Sequence, residues 1–89
     1  MKPKLITIKD KKPTYEELKG MVGGYIEFAY DDGKTQIICN EEGKIYGHPY
    51  NAEATKLWNK LLSDSQFYEI NTDVLVGDVV ILEGKARLS

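Results

Sequence analysis

Two strand-like runs joined by an Asp-Gly turn leave the first half of this chain few ways to fold. Tyr25–Tyr30 sets Ile26, Phe28 and Tyr30 on one face and Tyr25, Glu27 and Ala29 on the other, the period-two pattern of a strand with one face against a core. Asp31-Asp32-Gly33-Lys34 follows, and an Asp-Gly pair accepts the positive φ that a tight hairpin turn demands. Thr35–Asn40 is then the returning strand. Asn40-Glu41-Glu42-Gly43-Lys44 repeats the turn chemistry with a longer loop and leads into a short strand at Ile45 and Tyr46, which makes a three-stranded meander.

A meander needs cover for its apolar face, and the flanking segments supply it. Lys4–Lys9 alternates and is rich in β-branched residues, as a first strand should be. Thr14 is placed to cap a helix, with Glu17 as its capping-box partner and Leu18, Met21 and Val22 as its apolar face. Gly20, Gly23 and Gly24 end that helix, Gly23 suiting the left-handed position beyond the last turn. Gly47-His48-Pro49-Tyr50 is an irregular connector. Asn51 caps a second helix whose Ala54, Leu57, Trp58 and Leu61 recur at helical spacing, with Glu53 and Lys60 matched to its dipole. Ser63–Ser65 close it, Phe67–Ile70 has the make-up of a short edge strand, and Gly77–Leu82 that of a buried final strand entered through a Gly-Asp turn. The expected fold is α+β, a mainly antiparallel sheet of about five strands packed against two α-helices. At 89 residues it is one domain, 1–89. Chains of this size bury only about 60–65% of their unfolded surface, so self-association into a homo-oligomer is expected to add stability.

Charge and cysteine content exclude several functions. Twelve Lys+Arg against fourteen Asp+Glu give a net charge of −2, too balanced for a protein that grips duplex nucleic acid through phosphates. The cations are uneven: Lys2, Lys4, Lys9, Lys11 and Lys12 crowd the start, while Lys85 and Arg87, the one arginine, stand near the end. If the terminal strands pair, these residues form either a basic rim able to meet phosphates or a lysine-guarded sheet edge. A lone Cys39 permits no internal disulfide and fits a reducing compartment. No apolar run approaches the ~20 residues of a membrane span and no signal peptide opens the chain, so a cytoplasmic protein without a membrane partner is expected.

Catalytic chemistry finds little to work with. With one histidine and one cysteine there is no nucleophile, base and orienting group to assemble, and a zinc site would have to be completed by carboxylates. Cys39 shares a strand face with Ile37 and reads as a small core residue. No catalytic residue, metal or cofactor is expected. The binding features lie instead in Tyr46-Gly47-His48-Pro49-Tyr50-Asn51, which runs into a helix N-terminus with free N–H groups. Tyr46, His48 and Tyr50 offer rings for stacking, Asn40 and Asn51 offer amides to read a base edge, and Lys85 and Arg87 offer charge for phosphate. The plainer reading makes Asn51 only a cap, Pro49 only a shaper of the helix entry, and the tyrosines half-buried packing.

The ordered set Val22-Gly23-Gly24-Tyr25-Ile26-Glu27, Asn40-Glu41-Glu42-Gly43-Lys44, Gly47-x-Pro49-x-Asn51-x-x-Ala54 and Gly77-Asp78-Val79-Val80-Ile81 resembles a family of small proteins of unknown function common in bacteriophages and mobile elements. His48 stands where that family carries a more apolar residue. The resemblance implies an accessory protein aimed at host machinery. Such a protein would sequester a nucleotide-like small molecule, such as a cyclic dinucleotide or cyclic ADP-ribose immune signal, without breaking a bond. The alternative it leaves open is an inhibitor that docks on a host protein through a sheet edge or an aromatic face.

Overall fold

A computed structural model describes residues 2–64 and 73–88. The capping signals are realised in full. Thr14 Oγ1 accepts from the Glu17 N–H at 3.1 Å and the Glu17 carboxylate accepts from the Thr14 N–H at 3.0 Å, which starts α1 at Tyr15–Val22. Gly23, at φ 80°, ends it by donating to the Lys19 carbonyl, as only a residue without Cβ does comfortably. The other elements are β1 (Leu5–Ile8), β2 (Ile26–Asp31), β3 (Thr35–Asn40), α2 (Ala52–Ser63) and β4 (Val79–Glu83), followed by a 3₁₀ turn at Gly84–Ala86.

The strands form one mixed sheet in the order β1-β4-β3-β2. β2 and β3 are the expected hairpin, β3 pairs antiparallel with β4, and β1 joins β4 in parallel, Leu5 opposite Val79. The α+β class therefore holds, with four strands among the described residues. The expected strand at Phe67–Ile70 lies outside those residues. The one expected at Ile45 and Tyr46 is replaced by consecutive turns, because local carbonyls have taken its N–H groups: Tyr46 donates to Glu42, Gly47 to Lys44 and His48 to Gly43. β4 fills the vacant place beside β3, so the expected meander is cut to the β2-β3 hairpin, and the third antiparallel strand arrives from beyond α2.

Both faces of the sheet are covered. Leu18 and Val22 of α1 pack on Ile38, Val80 and Leu82, while Ala54, Leu57, Trp58 and Leu61 of α2 pack with Ile37, Cys39, Val79 and Ile81. Alternate residues of β3 and β4 thus serve opposite layers, which explains why Ile37-Ile38-Cys39 and Val79–Leu82 are unbroken apolar runs. One face assignment changes. A β-bulge between Phe28 and Tyr30 inserts Ala29 as an extra residue, so Tyr30 lies opposite Ile37 and packs with Ala29 on the α2 side instead of sharing a face with Ile26.

Candidate functional site

The connector before α2 is stitched to the sheet by Asn51, whose side chain is 1% exposed. Its Oδ1 accepts from the Ala54 N–H at 3.0 Å, and its Nδ2 donates to the carbonyls of Lys4 and Gly77, each at 2.9 Å. Both amide hydrogens and the cap acceptor are spent, so Asn51 holds α2, β1 and the entry to β4 together and has no donor left to read a base edge. Asn40 is similarly engaged: Nδ2 donates to the Val22 carbonyl at 3.1 Å and Oδ1 accepts from the Glu42 N–H at 2.7 Å, tying the end of β3 to the end of α1.

His48 is half-buried against two glycines. A Cβ at Gly77 would stand 2.7 Å from His48 Nδ1 and one at Gly43 would stand 3.3 Å away, so the absence of side chains there is what admits the ring. Tyr46 lies beside it, ring centroids 6.2 Å apart, and Tyr46 and Tyr50 are both exposed. Lys85 and Arg87 do not join this group. They follow β4, whereas His48 and Asn51 lie at its entry, and β4 alone spans on the order of 15 Å at about 3.3 Å per residue. Arg87 is held instead by the hairpin, 3.6 Å from the Asp31 carboxylate. The terminal strands do pair, but in parallel, so the cations divide between the two ends of the sheet: Lys2 reaches Glu53 at one, and Lys9 reaches Glu83 at the other.

Two cavities stand out among the described residues. An open cleft of about 380 Å³ runs between the end of α1 and the start of β1, lined by Lys2, Lys4, Met21, His48, Pro49 and Asp78. A more enclosed cavity of about 240 Å³ lies along β2, between β3, the 41–45 turn and the strap 73–76 that precedes β4. That strap is fixed from both sides: Thr55 Oγ1 accepts from the Leu75 N–H at 2.9 Å, and the Leu75 carbonyl accepts from the Asn51 N–H at 2.9 Å. Phe28, Ile45 and Val74 line the cavity while 46%, 78% and 36% exposed. Trp58 also lines it, and its indole N–H is buried with no acceptor among the described residues. Glu27, Glu41 and Asp73 make the lining acidic despite the ion pair of Lys44 with Asp73. The Lys44 ammonium, together with the Val74 N–H, holds the Asp73 carboxyl below the usual range. Cys39 is part of this wall, and burial pushes its thiol up to about 11, leaving little thiolate at neutral pH.

The family model described as Domain of unknown function (DUF3846) matches residues 1–87, nearly the whole chain. The chain belongs to the DUF3846 family. No curated protein and no solved structure matches it. For this DUF3846 domain the β2 cavity is the feature that sequence reasoning missed. Phe28 and Trp58 read as core in their periodic patterns, and Ile45 falls in an expected strand. The one available signal was Ile45 itself, a large apolar residue in a turn-rich stretch with no apolar neighbour at strand or helix spacing.

Proposed function

We propose that this DUF3846 domain acts by binding a protein partner, whose extended segment lies along the β2 edge and places an apolar side chain in the β2 cavity. One observation carries the reading: three exposed apolar residues and the Trp58 side chain line one cavity beside a sheet edge that no other described strand covers. Main-chain pairing along an open edge supplies affinity, and a pocket for one side chain supplies selectivity. The acidic lining favours cations flanking that anchor. No bond need be broken, and the raised Cys39 thiol is poorly suited to nucleophilic attack. With a phage-type origin, the partner would be a host protein and the effect stoichiometric inhibition.

Trp58 is the single tryptophan, so its emission reports on the cavity. Short extended peptides with a central leucine or isoleucine flanked by lysines should shift Trp58 emission saturably, Phe28→Asp should abolish the shift, and glutamate-flanked peptides should bind more weakly. Equal responses to both peptide sets, or a response indifferent to Phe28→Asp, would end this reading.

A second reading keeps the nucleotide-like ligand and rests on the cleft where Lys2, Lys4 and His48 converge next to the Tyr46 ring. There the lysines would meet phosphate and the paired rings would stack a base. A panel of cyclic dinucleotides and cyclic ADP-riboses should then raise the melting temperature of the wild type but not of His48→Ala. A flat response across the panel at saturating concentration would remove it.

A further inference from the structure

The two edges of this sheet carry opposite charge. β1 begins after Lys2 and Lys4 and is followed by Lys9 and Lys11, whereas β2 contains Glu27 and borders Glu41 and Asp73 along the cavity. Among the described residues neither strand has a partner on its outer side. The chain thus holds the kind of segment its β2 edge calls for. Lys4-Leu5-Ile6-Thr7-Ile8-Lys9 is extended, apolar at its centre and cationic at both ends.

Strand direction allows the two edges to meet. β1 runs parallel to β4, β4 antiparallel to β3 and β3 antiparallel to β2, so β1 and β2 point the same way. A second copy laid beside the first without inversion would add its β1 to β2 as a parallel strand and continue both helical layers. Among the described residues the main chain is free for it. Val79 N–H bonds the Lys4 carbonyl, so the parallel pattern turns the groups of Leu5 and Thr7 outward. On β2, Glu41 N–H bonds the Tyr25 carbonyl, and the antiparallel alternation turns those of Ile26 and Phe28 outward. Two-fold pairings fare worse. β2 on β2 would bring Glu27 of each copy together across a bulged edge, and β1 on β1 would gather the lysines, and like charges across a strand pair are destabilising.

We infer that copies of this chain associate head to tail, the lysine-flanked β1 edge of one seating on the acidic β2 edge of the next. This rests on the β2 edge being the docking surface proposed above. Such a contact is heterologous and does not close on itself in pairs.

Sedimentation velocity over about a hundredfold range of concentration tests it. Wild-type mass should rise with concentration and fall back with added salt, the mark of charge-guided contact. Lys4→Glu/Lys11→Glu spoils the β1 edge and Phe28→Asp spoils the β2 edge, so each alone should stay monomeric, with far-ultraviolet circular dichroism showing each folded. Their equimolar mixture should form a one-to-one dimer, because each retains the edge that the other lacks. A single variant that still self-associates would show an isologous contact and overturn the inference, as would a monomeric mixture beside an assembling wild type or a wild type that is monomeric throughout. If that monomeric protein still shows the Phe28-dependent Trp58 response to lysine-flanked peptides, β2 docking stands and self-assembly alone falls. If neither signal appears, both fall.

Discussion

Replacing Asn51 by alanine should cost this domain about 3 kcal/mol of stability, far more than an exposed helix cap would. Loss of the Oδ1 bond to Ala54 removes the cap of α2, worth about 1 kcal/mol. Loss of Nδ2 leaves the buried Gly77 carbonyl without its donor and the partly buried Lys4 carbonyl with the Val79 N–H alone, at about 1 kcal/mol each. For a domain of this length, about 3 kcal/mol corresponds to a fall in Tm of roughly 12–24 °C. Urea unfolding followed by Trp58 emission measures the difference, and an unchanged m-value confirms that the same surface unfolds. Two further variants separate the contributions. Asn51→Ser keeps a capping oxygen and forfeits the two bridges, so it should lose about 2 kcal/mol. Asn51→Asp also keeps the cap but aims a carboxylate at two carbonyls, so it should lose at least as much as alanine. A cost for Asn51→Ala under about 1 kcal/mol, or an Asn51→Asp variant as stable as the wild type, would refute the stitching role.

Gly77→Ala should destabilise by about 1–2 kcal/mol through its positive φ and by more through contact with His48, so adding His48→Ala should recover part of the loss in a double-mutant cycle; strictly additive effects would show that ring and glycine are independent. Cys39 should resist thiol reagents near neutral pH until the protein is unfolded. Because its thiol titrates at about 11 when folded against 9.0 when free, the native state holds the proton more tightly between those values, and stability should fall as pH rises through that window in the wild type but less in Cys39→Ala, as paired urea midpoints would show. Asp32 is held below its usual range chiefly by the N–H of Thr35, with that of Lys34 adding to it, so its contribution is present above about pH 4 and lost as pH falls through the depressed value. The stability gap between wild type and Asp32→Asn should accordingly close in acid, and a gap that persists there would point to a contact unrelated to charge.

The elements that local chemistry controls were legible in the chain. Thr14 with Glu17, Gly23, the Asp32-Gly33 turn and Asn51 each specify a backbone conformation through a side chain a few residues away, and each is found where expected. What depended on distant pairing was not. Whether β3's second neighbour is Ile45-Tyr46 or β4 turns on competition for N–H groups, and periodicity carries no trace of it. The bulge at Ala29 likewise has no local signature, and simple alternation puts Tyr30 on the wrong face. The candidate site suffered most, because Asn40 and Asn51 have the chemistry of base readers but spend it on carbonyls contributed by Val22, Lys4 and Gly77. Charge alone groups Lys85 and Arg87 with them, and the parallel sense of the terminal strands sends both elsewhere.

The pairing of β1 with β4 also bears on how the protein is made. Leu5 meets Val79, 74 residues later, so at about 5–20 residues per second the nascent chain waits roughly 4–15 s between the synthesis of the two. Through that interval Leu5-Ile6-Thr7-Ile8 is an unsatisfied sticky segment near the ribosome, and Lys4 and Lys9 on either side act as gatekeepers against premature aggregation.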